Sequence, residues 1–592
     1  MAFGQPVNTI YDFSKADRIL SLDADFLSAQ PGTLKYARDF AARRRVSEGQ
    51  KEINRLYVIE TTPTATGASA DHRWSVKPSE MESIARAIAN TARPADSFAD
   101  WVNAISRDFQ QHKGASIVMA GKEQPPTIHA FAHAANELLG NIGKTVFYTD
   151  PIEANPVDQR QSLQELINDI DGGRVELLVI VGGNPAYNTP ADLKLNQDRM
   201  FKTKLRVHLS QYRDETSELC HWQLPETHYL EAWSDARSYD GTVTIVQPLI
   251  EPLYQNKSAH ELLAVFTAKY DQKPYDIIRE YWQTASKQQA ANSKQPAVAN
   301  QRSEGANQQS SISNPQSADF ESWWRKCVHD GFIPGSALPT KSVSTGSGNS
   351  APPNAGGTPA VPVNTGQAQA GDGFEIIFRT DPTIYDGRFA NNGWLQELPK
   401  PLTKLTWDNA ALVSPNTAKQ LGLEKTNGKK GREAWVDTLK ISYQGRTISD
   451  KVPAYIMPGQ PDGVITLHLG YGRKRAGRVG NGIGFNTYEI RTADAPWSGA
   501  GAQVEKGPGE YVLALTQQHF NMEDPNFSKE PRDIYRQQTL EQYLHGEHKE
   551  HESEEPAKDD TLYDPSLYDY QNQGNGLNYA WGMAIDLNNC IG

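Results

Sequence analysis

The chain has 592 residues, 38% of them hydrophobic, which is enough to bury several cores and points to about three or four domains once linkers are allowed for. A formal net charge of -12 argues against nucleic acid as the main partner, because phosphate binding needs a dense Lys/Arg footprint. Cys220, Cys327 and Cys590 are too few and too far apart for a disulfide framework or a complete metal site, and the sequence holds no membrane-length apolar run and no leader-like start.

Taken in chain order, residues 12–17 predict a short helix before a strand at Ile19–Leu22, and the Arg43–Arg45 run predicts a solvated helix face. Both ends of the sequence read as internal to a longer polypeptide. Leu56–Glu60 predicts a strand that leaves through a Thr/Pro/Gly loop, residues 61–70, and Pro78 and Ser79 mark the start of a helix around Met81–Thr91. Ser116–Ala120 predicts a second strand, Ile128–Leu139 a helix, Leu177–Val181 a third strand and Leu205–Leu209 a fourth. Continuous β-branched runs between helices imply parallel sheet covered on both faces, with ligands at the carboxyl ends of the strands. The Gly182-Gly183-Asn184-Pro185 turn stands at such an end, although a tight strand exit asks for the same residues. His129 and His133 share metal-ligand spacing, but no third ligand accompanies them and they read as ordinary core or surface histidines.

Residues 284–372 are low in apolar content and read as a flexible linker, interrupted by a docking helix at 319–332 with Phe320, Trp323, Trp324, Cys327 and Val328 at helical spacing. Cys327 reads there as a buried small apolar residue. Residues 373–516 predict short strands at Phe374–Phe378, Ala434–Tyr443, Thr447–Tyr455, Val464–Leu469 and Tyr511–Thr516. Between the last two lies the basic, glycine-rich run Gly470–Asn486. Its Arg473, Lys474, Arg475 and Arg478 could cradle phosphates, but without the strand-before and helix-after setting the run reads as a loop gripping a neighbouring domain or an acidic partner. An acidic linker, 517–577, carries His545, His548 and His551, and 578–592 ends on Asn588-Asn589-Cys590-Ile591-Gly592 after a strand-like run. Cys590 opens a ferredoxin-type loop or is an unremarkable cysteine; four thiolates hold a cubane cluster and only one is present.

The segments 58–74, 140–144, 177–190 and 214–235, in this order, resemble the large catalytic subunit of the molybdopterin oxidoreductase superfamily, and 373–516 resembles its C-terminal six-stranded barrel. The resemblance implies an α/β fold of molybdopterin oxidoreductase-like parallel-sheet domains plus a double-psi-type β-barrel, joined by low-complexity linkers. It divides the chain into an α/β region at 1–283, the linker at 284–372, the barrel at 373–516, the acidic linker and the truncated start of a 4Fe-4S domain at 578–592. It also implies that Thr61, Thr64, Gly182, Gly183 and Asn184 are vestiges of a pterin site. Cofactor-carrying members read Arg-Pro-Gly-Thr-Asp where this chain has Lys77-Pro78-Ser79-Glu80-Met81, and Glu80 near a diphosphate would add like-charge repulsion.

With Trp581–Gly592 added, the chain resembles the large-subunit-like half of the fused iron–sulfur B subunit of bacterial alternative complex III. That implies a scaffold without chemistry of its own in a quinol-oxidising respiratory complex on the periplasmic face of the inner membrane. Its expected partners are the cytochrome c and quinol-binding membrane subunits. Molybdopterin is expected to be absent, and Cys590 to be the first ligand of 4Fe-4S clusters that only the full-length protein completes. The alternative is a truncated molybdenum oxidoreductase of the polysulfide or tetrathionate reductase type. A soluble α/β protein unrelated to redox chemistry is the third reading.

Overall fold

The computed structural model describes residues 3–45, 52–293, 320–343, 373–423, 428–430, 433–449 and 451–516, with isolated positions beyond. The expected start of a 4Fe-4S domain at 578–592, Cys590 included, lies outside the described residues apart from Met583. Among the described residues no helix is long and apolar enough to cross a membrane.

The first sheet has four parallel strands in the order His72–Ser75, Arg55–Glu60, Arg18–Leu22, Ser116–Ala120. Both its faces are covered. Leu20, Leu22, Tyr57, Ile59 and Val118 pack on helices Pro78–Ile88, Ala99–Gln111 and Pro126–Leu138, while Ile19, Val58, Ile117 and Met119 pack on Phe13, Phe26, Tyr36 and Phe40. Alternate side chains of one strand feed two cores, so the runs contain no polar face. The arginine run departs from expectation. Helix Thr33–Ala42 ends before it, and Arg43 and Arg44 pair with Asp17 and Asp71, tying that helix back to the sheet.

The second sheet has three parallel strands, Leu177–Val181, Leu205–Ser210 and Trp222–Pro225. One face packs on helix Gln159–Asp171 through Ile167, Ile170 and Leu178. The other departs from the expected double covering: Leu177 is 45% exposed, Val181 42%, Leu205 40% and Trp222 64%. Apolar continuity along these strands therefore does not report burial.

The hairpin Ser234–Arg237/Val243–Val246 forms a separate small core with helices Pro274–Ser293 and Phe320–Asp330, in which Val243, Ile245, Ile278, Trp282, Phe320, Trp324 and Cys327 are buried. The expected docking helix thus packs on the end of the α/β region. Burial pushes the Cys327 thiol up to about 11, as suits a small apolar filler.

The C-terminal strands form a barrel with two parallel pairings, Phe374–Arg379 beside Val464–His468 and Ala411–Val413 beside Val452–Ile456, in an otherwise antiparallel ladder. Ile376, Phe378, Val413, Ile441, Val452, Ile465 and Leu467 fill it. Two strand expectations change. Thr447–Tyr455 splits into Arg446–Thr447 and Val452–Ile456, because the Ser449 N–H and hydroxyl bond the Glu489 carboxylate and the chain leaves the ladder there. The final strand runs over Ser498–Leu515, far longer than Tyr511–Thr516, pairing along Glu433–Tyr443.

Candidate functional site

The barrel sits on the carboxyl ends of both parallel sheets, and the residues singled out from the sequence lie at that junction. Asp23 follows the strand Arg18–Leu22 and is fully buried at its side chain. Thr61 donates to it twice, from its N–H at 3.1 Å and its hydroxyl at 2.8 Å, while Gln124 donates at 2.6 Å and Arg379 of the barrel pairs with it. Thr64 caps the short helix Ala65–Ala68 by accepting from the Gly67 N–H, and donates to Glu60 at 2.6 Å. Burial pushes the Glu60 carboxyl up to about 7, although Arg73 and Thr64 pull it down.

At the end of the second sheet Gly182 and Gly183 both have positive φ, 64° and 67°, which only glycine adopts in succession without strain. That double turn delivers Asn184. Its amide oxygen accepts from the N–H and hydroxyl of Thr216, and its amide nitrogen donates to Glu215 at 2.7 Å. The five residues expected to be vestiges of one site therefore fall into two clusters, one per sheet, each engaged by a different part of the barrel.

The residues that organise both clusters are acids that the sequence did not single out. Helix Pro78–Ile88 offers its first turn to the barrel, where the Ser79 N–H and hydroxyl donate to Glu375 at 2.9 and 2.6 Å. Glu80, far from facing a ligand, turns back to accept from the Lys77 N–H at 2.8 Å. On the second sheet Glu215 receives Arg473 through Nε at 3.1 Å to each oxygen and Nη2 at 2.7 Å, with the N–H groups of Lys474 and Arg475 at 2.9 Å each. The basic loop thus grips the neighbouring domain, as its composition suggested. Burial alone would raise the Glu215 carboxyl, but Arg473 and these N–H groups hold it down at about 2. The signal available in the sequence was the acid Glu215 inside 214–235, one of the partners that can offset a buried guanidinium.

Two cavities flank these contacts. One, of about 390 Å³, lies between Asp23, Thr62–Ala65, Lys122 and Glu123 on the sheet side and Arg379, Asp381, Lys400 and His468 on the barrel side. Its charges face one another as Asp23–Arg379, Asp381–Lys400 and Glu123–Lys122 pairs, and burial pushes the His468 imidazole down to about 4. The other, of about 410 Å³, adjoins Glu215 and is lined by Lys194, Arg446, Lys474, Tyr187, Tyr488 and Glu489 among others. His129 and His133 take no part in either. Burial lowers both, His133 to about 4, and His133 meets the Tyr148 hydroxyl at 3.0 Å.

The acetylene hydratase of Pelobacter acetylenicus superposes on this chain with a TM-score of 0.51 at 12% identity, over 86% of this chain and 80% of its own. The fold is molybdopterin oxidoreductase-like. No protein-family model matches the chain, and no curated protein does. A molybdopterin guanine dinucleotide carries a diphosphate, and at these strand ends it would meet the carboxylates of Asp23, Glu60, Glu215 and Glu375. Three of the cations that would offset them, Arg73, Arg379 and Arg473, are each already paired with one of these acids, while Lys194, Arg446 and Lys474 line the cavity beside Glu215. With Asp23, Glu60 and Glu215 holding these arginines, the strand ends themselves do not fit an anionic dinucleotide.

Proposed function

We propose that the chain is the scaffold half of a quinol-oxidising electron-transfer subunit of the alternative complex III type, without a molybdenum site of its own. The observation that carries the reading is that the groups suited to hold an anionic cofactor close on the protein's own carboxylates across the junction. Three such bonds fasten the barrel to the sheets, Asp23–Arg379 and Ser79–Glu375 on the first and Glu215–Arg473 on the second, and the neutral hydrogen bonds Thr62–Gln460 and Tyr187–Tyr471 add to them. A support that holds electron carriers needs fixed geometry, and a junction that combines buried charge pairs with buried hydrogen bonds is one way to obtain it. The order of motifs and the final Cys590 supply the rest of the reading. In it, Cys590 is the first thiolate of a 4Fe-4S site completed downstream, and the partners are the membrane and cytochrome subunits of a respiratory complex at the periplasmic face.

Metal analysis of the full-length protein tests it. Iron with acid-labile sulfide and no molybdenum is the expected result. Stoichiometric molybdenum would overturn the scaffold reading in favour of a molybdenum oxidoreductase.

A further inference from the structure

The turn Arg473–Arg475 and the Asn184 amide together offer more donors than their occupant can use. Six contacts converge on the two oxygens of Glu215: three from the Arg473 guanidinium, one each from the Lys474 and Arg475 N–H groups, and one from the Asn184 amide. A carboxylate presents about four lone-pair positions, so the Arg473 Nε is shared between both oxygens at 3.1 Å. A phosphoryl group presents three oxygens, which matches a planar guanidinium fork plus two successive backbone N–H groups. Arg473 is also fixed independently of Glu215. Its Nη1 donates to the Gly387 carbonyl at 2.7 Å, its Nη2 to the Arg475 carbonyl at 3.2 Å, and its guanidinium lies 4.9 Å from the Tyr187 ring.

The surroundings point the same way. The cavity of about 410 Å³ opens beside the Glu215 carboxylate, and Lys194, Arg446 and Lys474 stand on its wall. Its second acid, Glu489, already accepts from Ser449. Nor is Glu215 alone, since Glu375 fills the first turn of helix Pro78–Ile88 in the same manner.

We propose that Arg473, Lys474, Arg475 and Asn184 form a phosphate-binding cradle in which the Glu215 carboxylate is seated as a built-in substitute for the anion. Glu215 and Asn184 come from the second-sheet side and Arg473, Lys474 and Arg475 from the barrel, so the substitute anion also locks the two together. The cradle exists before the lock is removed, and deleting the Glu215 side chain exposes it to solvent from the adjoining cavity. The inference goes beyond the scaffold reading and does not depend on the metal content that tests that reading.

Thermal unfolding and calorimetric titration of the full chain with inorganic phosphate, against chloride at equal ionic strength, test it. Glu215→Ala is expected to melt below wild type in chloride and to recover in phosphate, binding phosphate at least about tenfold more tightly than wild type. Wild type controls for the general stabilisation that phosphate gives any folded protein. Adding Arg473→Ala to Glu215→Ala is expected to abolish the gain. If Glu215→Ala folds only when phosphate is present, the proposal stands. It is overturned if phosphate neither shifts nor recovers Glu215→Ala, if wild type responds equally, or if the gain survives loss of Arg473.

Discussion

Glu60 shows how a single carboxyl at this junction sets a pH dependence. Its side chain is almost wholly buried beside Arg73 and Thr64, and its folded pKa is about 7 against an ordinary 4.5. The folded state therefore holds the proton more tightly than the unfolded chain does. The stability this contributes is full below about pH 4.5 and is lost as pH rises to about 7, a difference on the order of 3 kcal/mol. Glu60→Gln, which keeps the shape and cannot ionise, is expected to remove that slope, so that urea midpoints of variant and wild type diverge between pH 5 and pH 7 in the variant's favour. Parallel pH profiles would place the cost elsewhere. Glu215 has the opposite sign. With its pKa depressed to about 2, its contribution is present above about pH 4.5 and lost as pH falls toward 2, so the two acids do not compete in the same window.

At the scale of elements, the long strand Ser498–Leu515 depends on glycines that look like loop residues. Gly499 lies so close to the Tyr443 hydroxyl that an added Cβ would stand 1.9 Å from it, and Gly507 would bring a Cβ to 2.8 Å from the Thr438 hydroxyl. Both contacts are with the partner strand Glu433–Tyr443, so these glycines permit close approach and do not end the strand. Gly499→Ala is expected to cost about 1–3 kcal/mol by forcing the buried Tyr443 aside, measurable as a lower denaturant midpoint with unchanged slope. An unchanged midpoint would mean that the tyrosine moves freely. The same reasoning explains why only Tyr511–Thr516 was legible as strand: Gly499, Gly501, Gly507, Pro508 and Gly509 carry turn signals unless the facing side chains are known. By contrast Ser116–Ala120 and Leu177–Val181 were legible to the residue, because short β-branched runs bounded by turn residues are self-announcing.

At the scale of the whole molecule, the barrel is tied to the two sheets by charge pairs and charge-assisted hydrogen bonds drawn from distant sequence. Glu215 and Arg473 lie 258 positions apart, and Ser79 and Glu375 lie 296 apart. Breaking one buried pair by removing a single partner costs about 3 kcal/mol. Differential scanning calorimetry of the full chain is expected to show barrel and sheets melting together in wild type. Arg379→Ala combined with Arg473→Ala is expected to separate that transition into two at lower temperature. One shared transition in the double variant would mean that apolar contacts, and not the ion pairs, couple the layers.

The sequence by itself determined the alternation of strand and helix, the short strands of 373–516, the buried character of Cys327 and the placement of Thr61, Thr64 and Gly182–Asn184 at strand exits. These follow from local periodicity and turn chemistry, which short stretches of chain carry in full. It also indicated that the basic loop would grip a neighbour, since so much charge in a glycine-rich turn needs an acid. Only the tertiary structure decided which acid, and that Glu215 and Glu375 occupy the anion-holding groups, because burial turns an ordinary exposed Glu into a committed partner. It likewise left one face of the second sheet partly exposed where the strand pattern implied a covered one. Hydrophobicity states that a side chain prefers to be buried; only the fold supplies, or withholds, the surface that buries it.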